Sequence, residues 1–600
     1  MPDSQLDPVM LAVISSRFET VVRSMRNTLT RTSRSGVINI ARDFSCCIVS
    51  RNDELLHWAE SIPIQVLSGP DLMARSMKEL HPEFSRGDAF LHNSPYHGAT
   101  HAADHSILVP VFDDRGTHQF TVVARAHQAD CGNASPTAYA ATAKDVYEEG
   151  ALIFPCVVAQ RGYVHNEDLI RTCRVRIRVP DQWWGDYLAL LGAARIGERR
   201  LLELGEELGW DTLQAFSGAW LDYSETLMRA RIGRLAGGRI TINAKHDPVP
   251  GLPDGIPIKV ALDVNASQEM IDVDLRDNLD CQPCGLNLSE STSRAAVLVG
   301  IFNSIDHGVP ANGGSARRVS IRLRENCVVG IPRPPTSCSV ATTNVFDRLA
   351  NAVQRGVAEL AEGQGMAEVG LSLPASVSVI SGKDPRRDDA PFINQLILAW
   401  TGGPGGPVED GWLTMGGPGD GGALLRDSVE IDELKHPIVV WEQRLLLDTE
   451  GAGRRRGAPS AYCEFGPLGC QVQALYLSDG TVNPPLGVRG GHAGGHAGQF
   501  LRSANGELIA QDLCGHVLVH ADERLVSIST GGGGYGPPDE REPDRVAQDV
   551  RERLISPARA REVYRVEVDD RGIIDVMATG DLRGEALAQQ KAKESRRRVV

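Results

Sequence analysis

No run of 18 apolar residues occurs in the sequence, so no membrane-spanning helix is expected. The opening residues, MPDSQLDPVM, lack a basic segment leading into an apolar one. No export signal is expected either, and the chain reads as cytoplasmic. Excess positive charge is also missing: the 600 residues carry a formal net charge of −15. A net acidic surface repels nucleic acid and anionic lipid, which argues against a general binder of either. The short basic run Arg596–Arg598 reads as a solvated tail. No G-x-x-x-x-G-K-[ST] is present, and the glycine run Gly531–Gly536 has no Lys-Ser/Thr after it, so there is no phosphate loop. No G-x-G-x-x-G sits between a clean strand and a helix with an acidic residue about 20 positions on. A G-x-S-x-G nucleophile elbow is absent as well.

What is present is an ordinary globular composition, 42% hydrophobic and 23% charged. The length suggests two to four domains. The 62 glycines and 34 prolines favour a loop-rich, partly β architecture. Twelve cysteines are scattered along the chain and are expected as reduced thiols. The C-x-x-C at Cys281 and Cys284 has no second pair or neighbouring His, so it is not read as a zinc site.

Apolar spacing predicts a helix over 7–35, opened by Asp7 and Pro8. Short apolar runs at Cys46–Val49, Ile107–Val109 and Phe120–Val123 predict buried strands. Helical spacing returns over 181–235, alternation over 238–280, and helical spacing again over 288–308 and 344–362. Beyond about 365 the chain becomes Gly-rich. Turn clusters are expected at 402–406, 416–422, 451–457, 490–498 and 531–536, with helix again over 540–565. The expected fold class is α+β and multi-lobed. It has a helix-rich, metal-bearing N-terminal domain (1–240), a middle α/β region (241–365) and a Gly-rich, β-rich C-terminal region (366–600).

The densest polar cluster lies between 87 and 150. Two H-x-x-D units, His101/Asp104 and His127/Asp130, sit 26 residues apart beside a glycine-containing turn. Imidazole and carboxylate together suit a divalent ion such as Zn, Mn or Fe(II). The competing reading is a surface loop of ordinary hydrogen-bonded His and Asp. A second His-rich run at 491–498 carries His492 and His496 at helical spacing, but its glycines argue for a tight loop.

Taken in order, these elements resemble the hydantoinase B/oxoprolinase family. This is the B-type subunit of ATP-dependent hydantoinases, oxoprolinases and lactamases, and of related acetone and acetophenone carboxylases. The resemblance runs from Asp7-Pro8-Val9 through Arg42–Cys46, Ile62-Pro63, Gly87-Asp88, Asn93–Asp104, Arg125–Asp130 and Glu149-Gly150. It resumes at Gly451–Gly457, Thr530–Gly536, Arg541–Asp544, Asp549-Val550 and Ile555–Pro557. It implies one divalent metal held by His101, Asp104 and His127, with Asp43 as a fourth or bridging carboxylate. Asp130 and Glu149 are implied as neighbouring carboxylates, either of which could act as general base. It also implies a hetero-oligomer with an A-type partner that binds ATP and Mg and phosphorylates a small-molecule substrate. This chain would then hydrolyse a cyclic amide: a hydantoin, oxoproline or lactam. A ketone carboxylase subunit using bicarbonate and a scaffold subunit without catalysis are the alternatives.

Four positions depart from the family pattern. Gln65 stands where His is expected, Ser94 where Asp is, and Ala99 and Asn133 where Gly is. Gln65 cannot exchange protons, and Ser94 removes a carboxylate near the expected site. Both leave the substrate, and the choice between hydrolysis and carboxylation, open.

Overall fold

The computed structural model describes residues 6–584 except 59, 306 and 307. The Arg596–Arg598 run and the first half of the N-terminal segment read for an export signal lie outside those residues, as do two positions of the helix expected over 288–308.

Helix α1 (Pro8–Thr32) starts where the sequence places it. The Asp7 carboxylate accepts from the Val9 N–H at 3.2 Å, and Pro8 costs nothing in the first turn, where N–H groups lack partners. Its buried stripe is Ile14, Phe18, Val21, Val22, Met25 and Leu29. That stripe packs on a seven-stranded antiparallel sheet made of β1 (Phe44–Ser50), β2 (Leu55–Trp58), β3 (Ala89–His92), β4 (Asp104–Phe112), β5 (His118–His127), β6 (Val157–Arg161) and β7 (Val164–His165). The order is β2-β1-β5-β4-β3-β6-β7. Every residue of β1, β3 and β4 is buried. This explains why these strands read as apolar runs rather than as alternation. The predicted helical stretch 181–235 is two helices, α2 (Pro180–Leu208) and α3 (Trp210–Ile232). The chain breaks at Gly209, whose φ of 81° suits glycine. Phe18 meets Phe120 edge-on at 5.6 Å and Phe216 at 4.9 Å, tying α1, β5 and α3 into one core.

A second sheet contains β8 (Gly238–His246), β9 (Ile256–Asn265), β10 (Met270–Asp274) and β11 (Val319–Arg322), in the order β11-β10-β9-β8. Strand β9 alternates buried and partly exposed positions, as a sheet with one wet face should. Its inner face meets α4 (Glu290–Phe302) and α5 (Val345–Leu360). The remaining strands are β12 (Val379–Asp384), β13 (Ala390–Gln395), β14 (Ile438–Leu445), β15 (Ala461–Pro467), β16 (Val472–Leu477), β17 (Gly498–Arg502), β18 (Leu508–Ala510), β19 (Cys514–Val519) and β20 (Arg524–Ile528). They form a four-stranded sheet, β13-β12-β16-β19, and a five-stranded one, β14-β15-β20-β17-β18. The chain is α+β.

Most of the expected turn clusters are something else. Segments near 402–405, 451–458 and 531–534 run side by side as irregular, largely buried backbone, with the more exposed 487–495 segment alongside. Gly402 N–H donates to Thr530 O, Gly405 to Gly533 O, Gly451 to Gly532 O and Gly534 to His492 O, at 2.8 to 3.0 Å. They look like turns in sequence because both turns and backbone-to-backbone packing require glycine, for different reasons. His492 and His496 lie in this irregular region, not on a helix. The predicted helical stretch 540–565 is two short helices, Pro543–Arg551 and Pro557–Glu562.

Candidate metal centre

The register of the first sheet builds the site. Strands β4 and β5 form a hairpin in which Asp104 stands directly opposite His127. Strand β1 pairs with the outer side of β5, and the His127 N–H donates to the Asp43 carbonyl at 3.0 Å. One end of the sheet therefore collects Asp43, Asp104 and His127. The turn before β4 adds His101. His127 of the second H-x-x-D unit meets His101 and Asp104 of the first because strand pairing folds the 26-residue spacing back on itself.

His101, Asp104 and His127 are all buried, and one ligand atom from each lies within 4.8 Å of the others. His101 Nδ1 lies 2.8 Å from the Ser339 carbonyl, which can only accept, so this nitrogen carries the proton. Its Nε2 is then a bare lone pair, buried and without a hydrogen-bond partner, 3.2 Å from Asp104 Oδ1. His127 presents Nδ1 to the same oxygen at 3.3 Å and leaves its buried Nε2 without a partner. Two lone pairs facing each other in a dry interior repel unless a proton or a cation sits between them. A backbone carbonyl fixing the outer imidazole nitrogen is also the usual arrangement around metal-ligating His. The donor set thus fits a divalent ion. Thr100 Oγ1 donates to Asp104 Oδ2 at 2.5 Å and orients the carboxylate.

The electrostatics agree. Burial alone would raise the Asp104 carboxyl, but the charges of and hydrogen bonds to His101 and His127 hold it well below its usual range. Burial depresses the His127 imidazole. Burial also pushes down on His101, yet Asp104 and the Ser339 carbonyl outweigh it and raise the ring. Asp43 is pushed far up by burial, then by the neighbouring Asp104 and Asp420. Buried carboxylates gathered at one spot call for a positive charge.

Asp43, Asp104 and His127 open onto an enclosed cavity with Gln65, Tyr139, Thr343, Ser372, Gln395, Trp400 and Asp420 in its wall. Its free space of about 30 Å³ suits one or two water molecules. Tyr139 stacks on both imidazoles, with ring centres 5.9 Å from His101 and 5.3 Å from His127. It also lines a neighbouring, more open cleft of about 220 Å³ that includes Glu149.

The sequence-predicted residues divide accordingly. His101, Asp104 and His127 converge, and Asp43 stands in the same cavity wall. Gln65 Nε2 donates to Asp43 Oδ1 at 2.7 Å, so this departure touches the site through Asp43. Glu149 is buried one cleft away and accepts from Ser337 Oγ at 2.6 Å. Asp130 is occupied elsewhere. Its oxygens accept from the Arg178 N–H at 2.6 Å, the Arg178 guanidinium at 3.1 Å and the Gly132 N–H at 3.0 Å. Ser94 lies outside the cavity and bonds the His97 ring at 2.8 Å. Ala99 is core, and Asn133 accepts from the Cys131 thiol. Cys281 and Cys284 join no metal-type group among the described residues. Sequence reasoning missed Ser339, Tyr139, Gln395, Trp400 and Asp420. Gln395 ends β13 and the others come from irregular or single-turn segments, none with a motif of its own, although Asp420 lies in a glycine cluster flagged as a turn.

The distant family elements serve the scaffold. Arg456 Nε donates to Asp549 Oδ1 at 2.9 Å, and Arg541 bridges Asp549 and Asp410 at 2.7 to 3.0 Å. This buried network locks the 451–457 segment to the C-terminal helices.

Thr100→Val keeps shape and removes one oriented donor. It is expected to weaken divalent-metal affinity about 10- to 100-fold, the usual cost of losing a partner of a metal ligand. Competition with a chromophoric chelator would measure it, and unchanged affinity would show that Thr100 does not orient Asp104.

Residues 7–538 match the Hydantoinase B/oxoprolinase family, and the chain belongs to it. It is 29% identical over 588 residues to the caprolactamase subunit beta of Pseudomonas jessenii, covering 96% of this chain and 98% of that one. The crystal structure of the ATP-dependent caprolactamase from the same organism superposes with a TM-score of 0.86 at 28% identity, over 97% of this chain and 100% of that one. A nucleotide-free acetone carboxylase structure shares the fold, with a TM-score of 0.85 at 16% identity, over 98% of this chain and 84% of that one. No described helix is long and apolar enough to cross a membrane.

Proposed function

We propose that this chain is the metal-bearing, hydrolytic subunit of an ATP-dependent enzyme that opens a cyclic amide. It would work with an A-type partner that binds ATP and Mg and phosphorylates the substrate. The observation that carries this reading is the buried, convergent His101/Asp104/His127 group with two unpartnered imidazole nitrogens. The likeness to a caprolactamase beta subunit supports the reaction class and the need for a partner. Asp43 is assigned as the fourth ligand or a bridging carboxylate. A divalent ion held there supplies Lewis-acid stabilisation of the negative charge that develops during hydrolysis; Zn, Mn and Fe(II) all suit the donors.

The protein groups supply the rest. The Ser339 carbonyl and Thr100 hydroxyl hold the ligands in orientation. Gln65 holds Asp43 through one amide hydrogen and presents an unpartnered amide oxygen in the cavity wall. Glu149 is assigned the general-base role, because it is buried, close enough for its charge to act on His101, and beside Tyr139. Asp130 is assigned to positioning, since Arg178 and Gly132 already engage it. A cyclic amide is larger than the enclosed cavity, so entry requires part of the wall to move. Tyr139, shared with the outer cleft, is the wall element that would have to yield.

The deciding experiment supplies purified chain, A-type partner and ATP with a lactam and with a ketone, each with and without bicarbonate. Ring opening independent of bicarbonate, with about one equivalent of metal per chain, is the expected result. Bicarbonate-dependent turnover of the ketone alone would assign the carboxylase reading. Full turnover by metal-free chain would assign the scaffold reading.

A further inference from the structure

A second polar cleft, separate from the metal cavity, lies where the start of α2 meets the loop before it, the end of α1 and the β13 region. Its walls include Arg34, Arg178, Asp181, Gln182, Arg387, Lys435 and His436, around a space of about 540 Å³. Positive charge dominates this wall in a chain whose net charge is −15.

Three features of the cleft have unmet bonding capacity. First, α2 is 29 residues long and starts from Val179 with no side-chain cap. Pro180 has no N–H, and the N–H groups of Asp181 and Gln182 find no acceptor among the described residues. These groups sit at the positive end of a long helix. The Asp181 carboxylate does not cover them, because it is 88% exposed and pairs with Arg174 at 2.6 Å. Second, the ammonium of Lys435 and the guanidinium of Arg34 form no ion pair or hydrogen bond among the described residues. Lys435 feels the buried Asp427 and Asp432, and Arg34 feels Asp186, only at longer range. Third, His436 is only 8% exposed, yet its buried Nδ1 has no hydrogen-bond partner among the described residues. Arg387 is partly committed, with Asp384 at 3.8 Å. Arg178 is engaged with Asp130 and with the Asn133 and Ala134 carbonyls.

We propose that this cleft is a binding site for a phosphate-class oxyanion. A tetrahedral dianion has enough acceptor oxygens to meet the two helix N–H groups and the Arg34 and Lys435 cations together, with the His436 ring as a further donor. Helix N-termini and cationic side chains both bind phosphate, and here one cleft holds both. A planar carboxylate has too few oxygens for this donor set. The site also has a structural link to the metal centre. Arg178 in its wall fixes Asp130, which follows His127 by three residues. The inference rests on the cleft alone and stands or falls independently of the reaction assigned above.

The test is calorimetric titration of the full chain with inorganic phosphate at constant ionic strength, against chloride. Saturable binding at one site is expected. Arg34→Glu/Lys435→Glu is expected to weaken it by about tenfold or more, the scale of losing two charge-assisted contacts. If that pair fails to fold, Arg34→Gln/Lys435→Gln, whose folding is checked by thermal melting, should weaken binding in the same direction. Competition by ADP identifies the source. Tighter binding of ADP points to a nucleotide phosphate, and weaker binding to free phosphate. Absence of saturable phosphate binding in the wild type, or equal binding by the variants, overturns the proposal.

Discussion

His127→Ala is expected to leave a folded chain that retains no divalent ion and turns over about a thousandfold more slowly with its partner. Lewis-acid stabilisation contributes several kcal/mol at the transition state, and each 1.36 kcal/mol is a factor of ten. The loss should be complete because no other imidazole can replace His127. Its place is fixed by the β4–β5 register opposite Asp104 and by the backbone bond to Asp43. The fold should survive. His127 donates one long side-chain bond of 3.3 Å, and its other nitrogen has no partner to leave unsatisfied. A destabilisation of about 1–3 kcal/mol from the cavity and from Asp104 losing one partner is the expected scale. Metal analysis, thermal melting and turnover in the reconstituted complex separate these effects. Retained metal in a well-folded variant would remove His127 from the ligand set. Lost turnover with lost folding would say nothing about ligation, so His127→Gln, closer in size and polar, accompanies it.

The convergent His101/Asp104/His127 group was legible in the sequence because its members lie close to one another along the chain. His101 and Asp104 share a turn, and His127 follows on the paired strand, so two short motifs and one hairpin suffice to join them. Asp43 required the resemblance as well, since it lies about 60 residues upstream and reaches the group only through β1–β5 pairing. The cavity's far wall was not legible. Tyr139 and Trp400 lie in irregular segments, Gln395 ends β13 and Asp420 closes a single 3-10 turn, up to about 300 residues away, and periodicity carries no information about where such segments land. Helices α1 and α5 were read within three residues at each end, because apolar spacing and an N-terminal Pro or a following Gly mark them. The glycine clusters were misread for a reason that is physical. A missing Cβ is consistent both with a tight turn and with backbone packed on backbone, and sequence alone does not distinguish them.

That second use of glycine sets the largest expected loss of stability. In Gly532→Ala the new Cβ would sit 1.9 Å from the Gly403 carbonyl oxygen and 2.5 Å from its carbon. Neither atom can retreat cheaply. Gly403 O accepts from the Ala458 N–H at 2.8 Å, and Gly532 itself donates to Ala458 O at 2.9 Å and accepts from the Gly451 N–H at 2.9 Å. Relieving the clash therefore breaks a buried backbone ladder, leaving several peptide groups unsatisfied at about 1–3 kcal/mol each. Failure to fold, or a loss beyond about 5 kcal/mol, is expected. The neighbouring segments predict the same for Gly457→Ala, where the contact is 2.0 Å to Gly532 O. Gly218→Ala is the internal control. It lies within α3, has nothing within 4 Å of the new Cβ, and should stabilise the chain by about 0.5–1 kcal/mol through helix propensity. Chemical denaturation of the three variants beside the wild type tests the argument directly. If Gly532→Ala unfolds within about 1 kcal/mol of the wild type, the 531–534 segment is not tightly packed backbone. The scaffold joining the C-terminal sheets to the 451–457 element would then have to be held by its buried Arg456–Asp549–Arg541–Asp410 network alone.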